Sequence, residues 1–233
     1  MRADFRRIES WCTGGTLALA AVAVAACGPR SPSAQPHVWT ADTLRVLAYN
    51  IHHAEGMDEV VDVERVAALI EALDPDLVAL QEIDSVTTRT GAVDQAAELG
   101  RLTGLAHIFG SFMPYDGGSY GMAVLSRWPI EGSLNLRLPD GDEPRTALSA
   151  TVVSPRTGQR VRFVGIHFYR SEDERLAQAT RLEAYFESDT IPTILAGDFN
   201  STPGSNVMKL LHKSWAVVDL SLIHISEPTR PSP

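Results

Sequence analysis

Four short apolar runs, each closing on a polar residue, constrain this chain more than any other feature: LRVLAYN (44–50), DLVALQE (76–82), VRFVGIH (161–167) and TILAGDFN (193–200). Runs of this length and composition read as buried β-strands that open into loops. The segments between them have a different period. From Asp62 to Leu73, the residues Val63, Val66, Ala67, Ile70 and Leu73 fall at three- and four-residue spacings, which predicts an amphipathic helix stopped by Asp74 and Pro75. A second helix is predicted from Val93 to Thr103. A third follows a capping box of Ser171 and Glu174, with Leu176, Ala179, Leu182 and Phe186 on one side. Further strands are expected near His107–Phe109, Gly121–Ser126 and Ala147–Val153, and no repeat of fixed period is present. Strands joined both by helices and by short links imply a layered α/β fold with helices outside. The polar strand ends are the candidate site.

Composition narrows the chemistry. With 233 residues, 44% of them apolar, the chain can bury one large core, so one domain is the default. A formal charge of -9 argues against broad attraction to nucleic acid or anionic headgroups. The two cysteines, Cys12 and Cys27, both precede the globular part. That part therefore has no disulfide framework and no thiolate metal site, and any cation must be held by oxygen or imidazole.

The first 27 residues have the layout of a signal peptide: Arg2, Arg6 and Arg7, then the small apolar run TLALAAVAVAA from Thr16 to Ala26, then Cys27 and Gly28. The apolar run is about half the roughly 20 residues needed to span a bilayer. Val24-Ala25-Ala26-Cys27 resembles the bacterial lipobox, in which lipid joins the cysteine thiol, and Gly28 resembles the outer-membrane form of that signal. The expected organisation is a lipoprotein signal peptide at 1–27, a Pro- and Ser-rich tether at 28–41, a globular domain at 42–220 and a non-native tail at 221–233. The expected location is the bacterial cell envelope, lipid-anchored at the outer membrane and facing the periplasm or the cell surface.

Each polar strand end has an ordinary explanation when taken alone, since Asn forms turns and a lone Glu is usually solvated. In combination and in this order, Asn50, Glu82, His167, Asp198 and Asn200 resemble the endonuclease/exonuclease/phosphatase superfamily. The segments LRVLAYNIHH, PDLVALQEID, YGMAVLSRWPI and ILAGDFNSTP carry the resemblance over Leu44 to Asp219. It implies a four-layer α/β sandwich with two central mixed sheets flanked by helices, whereas periodicity alone gives only mixed α/β. It also implies a divalent cation, Mg2+ or Mn2+, held by Glu82 with Asn50 completing the shell or orienting Glu82. Asp198 would orient or deprotonate the attacking water, the Asn200 amide would donate to a phosphoryl oxygen, and His167 would face the phosphate. Arg145, in EPRTALSA, would steady a phosphate or a neighbouring carboxylate. His52 and His53, in the loop with Glu55, Gly56, Met57 and Asp58, lie where a substrate mouth would be shaped.

Two departures from the family pattern stand out. Met122 occupies a position where many members carry Asn, and the family's closing strand with an Asp and its Ser-Asp-His segment have no counterpart in SLIHISEPTRPSP (221–233). His224 is therefore not assigned the role of the family's last histidine. The final strands are expected to be missing, and the chain ending at Pro233 is expected to be inactive. The expected function is metal-dependent hydrolysis of a phosphoester outside the cytoplasm, on nucleic acid, a lipid headgroup or a small organic phosphate, with no protein partner implied. The alternative is a non-catalytic surface lipoprotein that keeps the fold for binding. On the lipobox reading, wild-type protein expressed in a bacterium should fractionate with membranes and incorporate labelled fatty acid, and Cys27→Ser should release it. A fully soluble, unlabelled wild type would remove the anchor.

Overall fold

The computed structural model describes residues 44–216, residue 156 excepted. The expected signal peptide with Cys27, the tether and the tail lie outside the described residues. The sheet elements are β1 (Val46–Asn50), β2 (Leu77–Ser85), β3 (Ala106–Tyr115), β4 (Gly118–Ser126), β5 (Ile130–Arg137), β6 (Thr146–Val153), β7 (Arg160–His167) and β8 (Thr193–Asp198). The helices are α1 (Val63–Leu73), α2 (Gln95–Thr103), α3 (Glu172–Phe186) and α4 (Asn206–Leu211).

Two four-stranded sheets form, ordered β1-β2-β4-β3 and β5-β6-β7-β8. Both are mixed: β1 runs parallel to β2 and β7 parallel to β8, while the remaining pairs are antiparallel. Side-chain alternation sorts the apolar residues into layers. On β2, Val78 and Leu80 pack under α1 and α2 with Val66, Ile70 and Leu99, while Leu77 and Ala79 face the second sheet with Phe112, Met122, Leu148 and Phe163. On β7, Val164 and Ile166 pack under α3 and α4 with Ala179, Leu182, Val207 and Leu211. The order of layers is thus helices, sheet, sheet, helices.

Local chemistry sets the element ends. The Asp62 carboxylate accepts the Arg65 N–H at 2.8 Å and caps α1, and Asp74 closes the helix in the left-handed region at φ 48°. At α3 the capping box differs from expectation: the Ser171 hydroxyl donates to the Glu174 carboxylate at 2.5 Å instead of accepting a backbone N–H. Glu174 in turn accepts the Asp142 N–H at 2.9 Å, which ties the helix start to the loop before β6. The β3–β4 hairpin turns on Asp116 and Gly117, both at positive φ, the Asp-Gly signature of a tight turn that the periodicity reading passed over.

Met122 is fully buried between the sheets. A Cβ on Gly165 would lie 2.6 Å from the Met122 methyl and 3.3 Å from the Ala79 Cβ, so the absent side chain of β7 makes room for the thioether of β4. Met122 is thus part of the apolar seam between the sheets.

Gly197 precedes Asp198 at φ 143°, and a Cβ there would lie 2.8 Å from the Ile166 nitrogen and 2.9 Å from its carbonyl carbon. Gly197→Ala should therefore destabilise the fold by about 1–3 kcal/mol, the usual cost of forced overpacking. Urea denaturation checks this, and an unchanged midpoint would show that the backbone yields freely there.

Candidate active site

The parallel pairing of β1 with β2 brings Asn50, at the end of β1, beside Glu82. The sequence pattern puts Glu82 at a strand end, but it lies inside β2, since that strand continues to pair with β4 as far as Ser85. Asn50 is paired with Gln81, so the next residue on β2, Glu82, lies beside it. Glu82 occupies a bulge between Gln81 and Ile83 and has φ 59°. A bulge re-aims a side chain out of the alternating pattern, and the Asn50 Nδ2 donates to Glu82 Oε1 at 2.8 Å. The other end of the amide is also engaged, since Asn50 Oδ1 accepts the His52 N–H at 3.1 Å. Asn50 thus orients Glu82.

The second sheet contributes by the same device. His167 and Asp198 are register partners at the ends of β7 and β8. The Asp198 Oδ1 accepts the Asn200 N–H at 2.8 Å, and the Asn200 Nδ2 donates to the Phe168 carbonyl at 2.7 Å. One of the two amide hydrogens of Asn200 is therefore committed to locking this loop onto β7, and the other is what it can offer a ligand.

His167 joins the two halves. Its Nε2 lies 4.0 Å from Glu82 Oε1 and 3.8 Å from Asp198 Oδ2, and its ring is buried. Burial pushes the imidazole pKa down, and Arg145 adds to that effect, against the opposing pull of Asp198, Glu82 and Glu143. Arg145 is itself buried. It pairs with Glu143 and sits over the rings of Phe112 at 5.0 Å and Tyr169 at 5.4 Å, while its Nε has no partner among the described residues. The carboxylate beside it is that of Glu143.

A cleft of about 170 Å3 opens beside Glu82, lined also by His52, Arg89, Tyr115, Tyr120 and Glu143. Sequence reasoning passed over Arg89, Tyr115, Tyr120 and Glu143. Arg89 is forked onto Asp84 at 2.6 and 2.8 Å, with Thr87 also donating to that carboxylate, and its guanidinium lies 4.5 Å from the Tyr115 ring centre. Tyr115 and Tyr120 flank the Asp116-Gly117 turn, so recognising the hairpin from its turn residues would have found them. Burial, aided by Glu82, pushes the Tyr120 phenol pKa up and keeps it protonated.

Two sets of donors in this region could hold a cation. Glu82 and Asp198, with the amides of Asn50 and Asn200, supply mainly oxygen, which suits a hard divalent ion. His52, His53 and Glu55 form a second set, with one ligand atom from each lying within 4.8 Å of the others. The His53 Nε2 is 2.8 Å from Glu55 Oε2, and burial lowers the pKa of this imidazole as well.

The sequence model of the Endonuclease/Exonuclease/phosphatase family matches residues 47–217. The uncharacterized protein YbhP of Escherichia coli K12 is 37% identical over 95 residues, which is 40% of this chain and 38% of the length of YbhP. Among solved structures, an endonuclease/exonuclease/phosphatase from Beutenbergia cavernae DSM 12333 superposes with a TM-score of 0.57 at 28% identity, over 69% of this chain and 48% of that one. The human Nocturnin catalytic domain with bound sulfate anion gives 0.58 at 24% identity, covering 73% of this chain and 69% of that chain. Bacteroides thetaiotaomicron VPI-5482 mannosyl-6-phosphatase Bt3783 gives 0.59 at 18%, covering 73% and 70%. The last two are likenesses of fold. The matched region spans less than half of YbhP and of the Beutenbergia protein.

The low pKa of His167 has a consequence for stability. A histidine whose folded pKa lies below its unfolded value near 6.5 binds fewer protons when native, so stability rises with pH through that window and is lost as pH falls below about 6.5. Without added metal, the unfolding free energy should fall between about pH 6.5 and 5.5 by at most roughly 1.4 kcal/mol per pH unit for each such group. His53 adds to the slope. His167→Asn should flatten it, and a slope identical to wild type would mean that the ring titrates as if solvated.

Proposed function

Because the chain belongs to the endonuclease/exonuclease/phosphatase family, we propose that it is a divalent-metal-dependent hydrolase of phosphoester bonds. The observation that carries the reading is His167, enclosed between Glu82 and Asp198 where the two sheets meet, with Asn50 fixing Glu82. A phosphate ester is anionic and repels hydroxide, so its hydrolysis requires positive charge on the phosphoryl oxygens and a positioned base for water. Glu82 and Asn50 would hold Mg2+ or Mn2+, which when bound offsets charge on the phosphoryl and leaving oxygens.

The remaining work falls to the chain's own groups. Asp198 has one carboxylate oxygen fixed by the Asn200 N–H, which leaves the other to orient or deprotonate water. His167 is kept neutral by burial, and its Nδ1 is enclosed without a partner among the described residues. Its Nε2 is thus the nitrogen available to donate a proton toward a phosphoryl oxygen. The free hydrogen of the Asn200 amide can point at the same charge. On this reading the group acted upon is a phosphate ester, a tetrahedral anion. Nucleic acid, a lipid headgroup and a small organic phosphate all present one, and the charge of -9 weighs against extended nucleic-acid binding. The proposal includes a cell-envelope location with a lipid anchor on Cys27, supported by the sequence of residues 1–27.

The test is turnover of bis-p-nitrophenyl phosphate by the full natural chain with Mg2+ or Mn2+. Glu82→Ala should abolish the metal-dependent rate and Asp198→Asn should lower it by about 10² to 10³, the scale of losing one key electrostatic or proton-transfer group. Both variants should keep the wild-type circular dichroism spectrum. Metal-dependent turnover surviving in Glu82→Ala would sink the assignment.

A further inference from the structure

We propose that His52, His53 and Glu55 form a separate binding site for a transition-metal ion of the zinc class at the mouth of the cleft. The first support is the donor set. Two imidazoles and one carboxylate are the ligands that hold zinc with a fourth position open, whereas magnesium prefers oxygen in octahedral array. Their donor atoms already lie within 4.8 Å of one another. A tetrahedral zinc with bonds of about 2.0–2.1 Å needs donors roughly 3.4 Å apart, so modest side-chain rotation completes the site. The exposed His52 ring, which faces His53 at 4.4 Å between centres, is free to make that rotation.

The second support is the way the backbone is spent. His52, His53 and Ala54 occupy the left-handed region consecutively, at φ 47°, 45° and 63°. Each such L-residue costs roughly 1–2 kcal/mol, and a run of three persists only where the surroundings impose it. They do so at several points. The Asn50 Oδ1 accepts the His52 N–H, the buried Gln95 donates to the His53 carbonyl at 2.7 Å, and the Asp62 N–H donates to the Ala54 carbonyl at 2.9 Å. Glu55 is bridged to Val61. These hydrogen bonds hold the loop in a shape that sets two adjacent imidazoles 4.4 Å apart between centres, as a ligand site requires. His53 adds a buried ring whose Nε2 already points at the Glu55 carboxylate.

The site is distinct from the Glu82 centre, though linked to it, because the His52 N–H is held by the same Asn50 amide that orients Glu82. Zinc fixed on His52 and His53 would restrain that amide as well as close one side of the cleft. His52 and His53 both line the cleft, so an ion held there would have an open position for water or an anionic oxygen.

The test uses the full chain stripped of metal, titrated with Zn2+ by calorimetry and with Co2+ by visible absorption. Glu82→Ala should bind one equivalent with the ligand-field bands of low-coordinate cobalt, wild type should show the same bands whether or not a further ion enters the Glu82 centre, and excess Mg2+ should not displace this ion. His52→Ala and Glu55→Gln should each weaken Zn2+ by on the order of 100-fold or more, since even an outer-shell partner is worth about 10–100-fold. Unchanged affinity in both variants would overturn the site. Loss of binding in Glu82→Ala would show that the ion belongs to the Glu82 centre instead, whatever became of the phosphoesterase reading. A measurement free of variants runs beside it: Zn2+ should protect His52 of the wild-type chain from carbethoxylation by diethylpyrocarbonate, read by peptide mass, and equal modification with and without Zn2+ would overturn the proposal too.

Discussion

Two sheets can share one active edge only where their strands approach closely enough for side chains from both to meet. Here that approach depends on the seam between β2, β4 and β7. Gly165 gives up its side chain, Met122 fills the gap and Ala79 lies against both. Two residues further along β7 stands His167, three further along β2 stands Glu82, and their atoms come within 4.0 Å. A larger residue at 165 would push β7 outward and take His167 away from Glu82 while leaving each sheet intact. Interiors packed to crystal-like density transmit such displacements instead of absorbing them. The distance across the site is therefore set in the apolar core and not at the site itself.

The buried charges fit the same logic. Arg145 and His167 are both enclosed, and an unpaired buried charge is costly. Arg145 is offset by Glu143 and by the aromatic faces of Phe112 and Tyr169. Its positive charge helps to keep His167 neutral, and a neutral imidazole can carry its proton on Nε2, the nitrogen that lies nearest Glu82 and Asp198. Charge in this region is arranged before any ligand arrives, which is what electrostatic preorganisation demands.

Much of this was legible in the sequence because the signal was periodic. The runs ending at Asn50, His167 and Asp198 are strands that stop at those polar residues, whereas β2 runs on past Glu82 to Ser85 through a bulge, and α1 to α3 occupy the predicted stretches, with α2 beginning at Gln95 after its Asp94 cap. What escaped lacked a period. The strand β5 alternates weakly and is mostly exposed, and α4 has only six residues, too few for a helical pattern to emerge. Arg89 faces the cleft because Asp84, two residues after Glu82, is buried and needs a cation, a dependence that spacing does not encode. The committed hydrogen of Asn200 was hidden for the same reason, since its partner is a carbonyl 32 residues away.

Part of the backbone strain lies where the chemistry is, and part at turn positions such as Asp74 and Asp116. Glu82, Asn200 and the His52–Ala54 run all sit at positive φ without being glycine. Glycine would relieve Glu82, Asn200, His52 and His53 but could not carry their carboxylate, amide or imidazoles, so the strain at these four is the cost of having a functional side chain at a sharp change of direction. It is borne by neighbours that do no chemistry: Gln95 under His53, Phe168 under Asn200, and the β2–β4 ladder on either side of the Glu82 bulge. Substitution of one of these supporting groups would therefore loosen the site before it loosened the fold, because the layers are held by apolar packing that none of these hydrogen bonds supplies.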